Sequence, residues 1–359
     1  MEKFTIDLAS RVARYASTFI VLLVLFSTPG CKRDHDFPLK NYQQVNLVSD
    51  VAGYDAARID PSLVNAWGIA VAPSGPLWIS ANHTGVSTIY DMNGLTLRPP
   101  VTIPSDNDKE TGAPTGQVFN NTTGFVIPST GAVSRFIFAG EDGTISAWAG
   151  GNTAVIVANR AAENAVYKGL ALANDGGHNF LYATNFKAAR VDVFDDHFNY
   201  VTSKPFADPM IPVHFAPFNV RNISGNLFVT YAKQLAPDNT DDEKGPGNGF
   251  VDVYTPGGIL IKRFATRGKL NSPWGIAEVS SDFSGEEHAI MIGNFGDGHI
   301  NVFKSDGEFE GQLKSKNGPI VIDGLWALEF NVPGTTNRLY FTAGQAKEEH
   351  GLFGYIQKQ

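Results

Sequence analysis

Apolar and polar positions alternate with a period of two along most of this chain, in short segments that recur roughly every 52 residues. Each unit opens on an apolar strand beside a small residue, turns, and runs through a second apolar strand ending in a polar residue. A third strand closes the unit. Units begin at Trp67 (W-G-I-A-V), Thr123 (T-G-F-V-I), Lys168 (K-G-L-A-L), Phe218 (F-N-V), Trp274 (W-G-I-A) and Trp326 (W-A-L-E-F). The small-residue column reads Gly68, Gly124, Gly169, Asn219, Gly275 and Ala327. Val, Ile, Phe and Tyr fill the segments, and turn residues such as Pro73-Ser74-Gly75, Ser224-Gly225-Asn226 and Pro333-Gly334 separate them. Strand repeats of this length with no alternating helix predict propeller blades. The expectation is an all-β fold, a six-bladed β-propeller over residues 41–359. A closed ring leaves no strand edge exposed. The apolar Val45-Asn46-Leu47-Val48, which precedes the first unit, is therefore expected to complete the last blade.

The first 40 residues break the pattern. Lys3, Arg11 and Arg14 precede the apolar run from Ala16 to Phe26, and small residues then lead to Cys31. This is the layout of a secretory signal, and the run is short of the ~20 residues that span a bilayer. Cys31 is the chain's single cysteine and stands at the cleavage boundary. The arrangement resembles a bacterial lipoprotein signal, in which that cysteine is lipidated. It implies a signal peptide over 1–30, a polar tether over 31–40, and a membrane attachment through Cys31. Lys32 after the cysteine favours the outer membrane; the expected location is the outer membrane, the periplasm or the cell surface.

Composition narrows the function. Lys and Arg number 28 against 36 Asp and Glu, a net charge of −8, which gives no basic footprint for nucleic acid. One cysteine excludes a disulfide framework and a thiolate zinc cluster. No zinc-protease, nucleophile-elbow or phosphate-loop string occurs. Chemistry must then come from residues that the blades bring together. The residues opening the blades (Trp67, Lys168, Phe218, Trp274, Trp326) and those closing the second strands (Asn82, Glu141, Asn185, Tyr231, Asn294) are expected around one mouth of the central channel. Of these, Trp67, Asn82, Asn185, Trp274, Asn294 and Trp326 are the candidate ligand-binding residues. Planar rings beside amides suit a neutral polar ring such as a sugar. The competing reading makes the Asn residues turn formers and the Trp residues packing between blades. The acidic loops Asp106–Glu110 and Asp238–Glu243 read as solvated.

The repeats resemble those of NHL-type and gluconolactonase-like six-bladed propellers. Over roughly Asn46 to Ile356 the chain more closely resembles a family of exported bacterial propeller proteins without an established function. That resemblance is carried by Asn46-Leu47-Val48-Ser49-Asp50, Asn65-Ala66-Trp67-Gly68-Ile69, Gly245 to Val253, Gly293 to Gly298, and Tyr340-Phe341-Thr342-Ala343-Gly344. The gluconolactonase likeness implies a divalent cation such as calcium in the channel, held by hard oxygen donors. Glu141 and Asp297, with Asn185 and Asn294, could supply such donors, although Trp67 and Gly68 stand where those enzymes carry a glutamate. The leading expectation is an exported, lipid-anchored propeller that binds a small molecule, glycan or protein at one channel mouth. The alternative is a metal-assisted hydrolase or lactonase.

Overall fold

A computed structural model describes residues 39–106 and 111–359; the signal, Cys31 and most of the first acidic loop lie outside the described residues. Six sheets of four or five strands follow one another along the chain, antiparallel except where Arg58–Ile59 adds a short parallel strand outside Tyr42–Ser49, and Lys314–Ser315 and Gly318–Pro319 form a small separate ribbon. Blade 1 comprises Ala66–Val71, Leu77–Ala81, Val86–Tyr90 and Val101–Thr102, from the inside outward. Blade 2 comprises Pro114–Phe119, Phe136–Gly140, Thr144–Trp148 and Val155–Asn159. The inner strands of blades 3, 4 and 5 are Tyr167–Asp175, Phe215–Ile223 and Pro273–Val279. Blade 6 is built from both ends of the chain: Leu325–Glu329, Arg338–Gln345 and His350–Lys358, then Tyr42–Ser49.

The closing strand is the one the sequence pattern points to. Tyr42–Ser49 pairs antiparallel with His350–Lys358, from Tyr42 opposite Lys358 to Ser49 opposite Leu352. Tyr42, Leu47 and Val48 are buried, and the Tyr42 hydroxyl donates to the Phe283 carbonyl at 2.7 Å. Asp50 clamps the end of the seam, accepting from the Gly351 N–H at 2.9 Å and lying 2.8 Å from His350 Nδ1.

One repeat is shifted from its expected place. The inner strand of blade 2 is Pro114–Phe119, not the segment from Thr123, where Val126 makes only an isolated bridge to Val133. The small residue in the column is therefore Gly116 rather than Gly124. Its role is steric. A Cβ on Gly116 would meet the Leu170 backbone nitrogen at 2.4 Å, and one on Gly68 would meet the Thr115 carbonyl oxygen at 2.4 Å. All six inner strands shift register beside this column, for example between Ala66 and Ile69, between Pro114 and Gln117, and between Tyr167 and Leu170. Such irregularities bend the strands where they crowd the axis. Among the described residues no helix is long and apolar enough to cross a membrane.

Candidate functional site

The channel is closed at one end and open at the other. At the end where the inner strands begin, the ring of Trp326 is stacked between Trp67, at 3.7 Å, and Phe295, at 3.8 Å. Trp274 meets Trp67 and Trp326 edge-on, and Phe186 and Phe218 complete this aromatic core. Trp67, Trp274 and Trp326 expose 1%, 4% and 1% of their surface, so their faces are spent on one another. Ammonium groups lie over the outer rings: Lys168 Nζ 5.2 Å from Trp67 and Lys244 Nζ 3.9 Å from Phe295.

A polar layer covers this stack. Lys168, buried despite its charge, donates to Glu141 Oε1 at 2.5 Å and to Asp241 Oδ1 at 3.0 Å. Burial alone would lower its pKa, but the two carboxylates outweigh burial and hold it above the ordinary lysine value. Asn82 donates to the other Glu141 oxygen at 2.9 Å. Asn65, in left-handed backbone geometry (φ 50°), accepts from Trp326 Nε1 and donates to Glu348 Oε2, both at 2.9 Å. Glu348 is the third of three consecutive left-handed residues, after Ala346 and Lys347. Burial raises its carboxyl pKa, partly offset by the charge of Lys168. Asp242 is likewise raised by burial.

The sequence-predicted residues thus divide. Trp67, Trp274 and Trp326 meet in the stack, and Asn82, Glu141 and Lys168 meet above it. Asn185 is elsewhere engaged: it donates to Asp192 at 2.9 Å and accepts from the Val166 N–H at 3.3 Å. Asn294 donates to Asp297 of its own turn at 3.0 Å and to the Lys269 carbonyl of the preceding loop at 2.7 Å. Tyr231 shares a 2.7 Å hydroxyl contact with Tyr254.

Among the described residues, Glu141 and Asp297 do not join a group of three acid or His donors. The Glu141 oxygens are taken by Lys168 and Asn82, and Asp297 Oδ1 by Asn294 and the His299 N–H. Among the described residues, one group of three acid or His side chains brings its donor atoms within 4.8 Å of one another. It is Asp195, Asp196 and His197, in an exposed outer turn of blade 3.

At the opposite end, where the inner strands finish, the channel opens into a funnel of about 400 Å³. Its walls are the strand ends of blades 1, 2, 3, 4 and 6, including Val71, Gln117, Leu172, Arg221 and Glu329. Arg221 Nη2 meets Glu329 Oε2 at 2.5 Å, joining blade 4 to blade 6 in front of Ala277 and Glu278 of blade 5. Glu329 is 7% exposed and Arg221 33%, so the pair is fixed at its acid end and accessible at its guanidinium. Asn121, Asn222 and Asn331 add amides to the rim. Candidate residues from the sequence did not include Arg221 or Glu329. Each lies two positions after the small-residue column, where the other four blades carry Ala70, Val118, Ala171 and Ala277. Opposite charges in an apolar column were the available signal.

Fold and channel together define a six-bladed propeller with one mouth filled and the other open. No family model matches the chain. Uncharacterized protein L690 of Acanthamoeba polyphaga mimivirus is 34% identical over 333 residues, spanning 88% of this chain and 86% of the viral protein. Uncharacterized protein R648 of the same virus is 31% identical, over 88% of this chain and 80% of its own. The chain belongs to the family of these two proteins. Among solved structures, the Penicillium chrysogenum α-L-arabinanase complexed with arabinobiose gives a TM-score of 0.56 at 15% identity, covering 88% of this chain and 97% of that one. Virginiamycin B lyase from Staphylococcus aureus gives 0.53 at 11% identity, covering 88% and 98%. At such identities the likeness is one of fold.

Proposed function

We propose that this propeller binds a small neutral polar molecule of saccharide type in the open funnel. The supporting observation is the Arg221–Glu329 pair on the wall of a 400 Å³ cavity. Its two charges cancel, which favours an uncharged ligand over an anion. Each member still has hydrogen-bonding capacity: guanidinium N–H groups to donate, carboxylate lone pairs to accept. Neighbouring hydroxyls of one sugar match such a fork, because each can accept from arginine and donate to glutamate. The funnel is within the ~300–1,000 Å³ typical of ligand sites. The mouth first expected to bind is packed with rings and ion-paired, which disfavours a ligand there. That one solved propeller of this fold holds arabinobiose is compatible with this reading.

The test is calorimetric titration of the protein with a panel of methyl glycosides. One or more should bind, and Glu329→Gln should weaken that binding at least tenfold while the protein stays folded. Absence of binding across the panel, or an unaffected Glu329→Gln, would sink the proposal. Export belongs to the same proposal and rests on residues 1–31 alone: Cys31→Ser should release the protein from the membrane fraction, and unchanged fractionation would remove the lipid anchor.

A further inference from the structure

The Arg221–Glu329 pair also borders a second cavity, of about 240 Å³, between the strand ends of blades 4, 5 and 6. A third, of about 390 Å³, follows between blades 5 and 6. The funnel and the second cavity have Arg221, Asn222, Glu329 and Asn331 in common. Asn222 and Asn331 are exposed and Arg221 is partly so, which makes this boundary a sill open to solvent. The second and third cavities join at Glu278, Phe330 and Asn331. The three therefore form one course that leaves the funnel over the ion pair and runs along the seam of blades 5 and 6. At 240 Å³ the middle cavity is smaller than the ~300–1,000 Å³ of whole ligand sites, so it suits one part of a longer molecule.

The course beyond the funnel presents polar groups. Its apolar residues Ile223, Ala277, Val279 and Phe330 are buried, while Ser224, Ser280, Ser281 and His288 are exposed. Glu278, at the join, has its Oε1 2.7 Å from His288 Nδ1. A carboxylate only accepts, so that ring nitrogen donates. The second carboxylate oxygen and His288 Nε2 are left to meet a ligand, with the imidazole 72% exposed. Serine hydroxyls alongside can both donate and accept.

We infer that the ligand is an oligosaccharide and not a single sugar. One unit sits in the funnel, and the chain crosses the Arg221–Glu329 pair and continues along the seam, where Glu278 and His288 bind the units beyond. The inference rests on the funnel reading above and adds the ligand's length and course. A peptide would call for a free strand edge or for apolar anchoring pockets, and the apolar residues here are buried. An anionic polymer would meet Glu278, Glu287 and Glu329 with Arg221 as the one guanidinium among them.

The experiment is calorimetric titration with methyl glycosides and with the di- and trisaccharides built from the same sugars. The trisaccharide should bind at least tenfold more tightly than its methyl monosaccharide. Ser281→Arg, an exposed position that lines the third cavity and not the funnel, puts a long side chain in the course. It should abolish the advantage of length and leave methyl glycoside binding intact. In Glu278→Ala the ratio of trisaccharide to methyl glycoside affinity should fall towards one. Equal affinities in the parent, or an advantage of length that survives Ser281→Arg, would overturn the extended course and leave the funnel standing. Failure of every mono-, di- and trisaccharide to bind would remove both.

Discussion

Glu348 shows how a single carboxyl reports on the closed mouth. It is held by Asn65 under the influence of Lys168, Glu141 and Asp241, and burial pushes its pKa above the ordinary glutamate value. An acid whose pKa rises on folding stabilises the native state while protonated, and that contribution is lost as pH rises through the folded pKa. Glu348→Gln keeps an oxygen to accept from Asn65 and removes the charge. The variant and parent should melt together below the ordinary glutamate range, near pH 4, and the variant should gain as pH rises above that range, until the folded carboxyl is ionised. Melting curves across that range are the check, and a difference that does not vary with pH would show that Glu348 is solvated. Little of this was legible in the sequence. Glu348 and Asn65 are 283 positions apart, and three successive left-handed residues bring the carboxyl to the mouth. Asp241 belongs to a loop whose acidity reads as solvated, yet it pairs with a buried lysine of another blade. Lys168 was legible as the one cation of its column and Glu141 as a residue of the same mouth, though Asp241 was not.

Among the elements, the inner strands carry the most constrained positions. The register shifts place Gly68, Gly116, Gly169 and Gly275 where a neighbouring blade passes at backbone distance. Gly116→Ala forces a Cβ against Leu170 N and the Gly169 backbone, neither of which is a flexible side-chain end. Overpacking of this kind costs about 1–3 kcal/mol, and chemical denaturation should find a loss in that range. Gly150→Ala, with nothing within 4 Å of the new Cβ, is the control and should leave stability unchanged. A Gly116→Ala protein as stable as the control would mean that the strands separate without cost. The blade-2 shift explains why the column was only partly legible. T-G-F-V-I from Thr123 has the right composition, but its backbone runs along the turn that bonds Phe125 to Asp196 of blade 3. Pro114-Thr115-Gly116-Gln117 looks less like a strand because Gln117 interrupts the apolar run. Inside the ring that glutamine is satisfied, donating to the carbonyls of Gly68 and Trp78 and accepting from Ser87. Periodicity registers a polar residue as a break, whereas the ring supplies it with partners from the preceding blade.

For the whole molecule, closure is what turns six blades into one body. Their number and the closing strand could be read from the sequence because a repeat states its own period and an apolar strand left over needs a partner. Which mouth stays open could not be read, since it depends on how large rings from different blades fill a shared axis. Trp67, Trp326 and Phe295 fill one end; at the other, the short side chains of Ala70, Ala171 and Ala277 leave the space that Arg221 and Glu329 bridge. The ring depends on the Tyr42–Ser49 seam. That strand buries Tyr42, Leu47 and Val48 and supplies the edge of blade 6 with its partner along the full length of the pairing. Burial of a large apolar side chain contributes about 1.5–3 kcal/mol, so these three alone rival a typical net stability of ~5–15 kcal/mol. Deleting residues up to Asp50 also removes the clamp on His350 and Gly351 and exposes an unpaired strand ready to join other chains. The truncated protein should therefore lose its cooperative melting transition or aggregate, and all six blades should fail together. Hydrogen exchange distinguishes this from local fraying: if only His350–Lys358 and Arg338–Gln345 lose protection while blades 1 to 5 keep theirs, the blades are stable singly and the seam is a local contact.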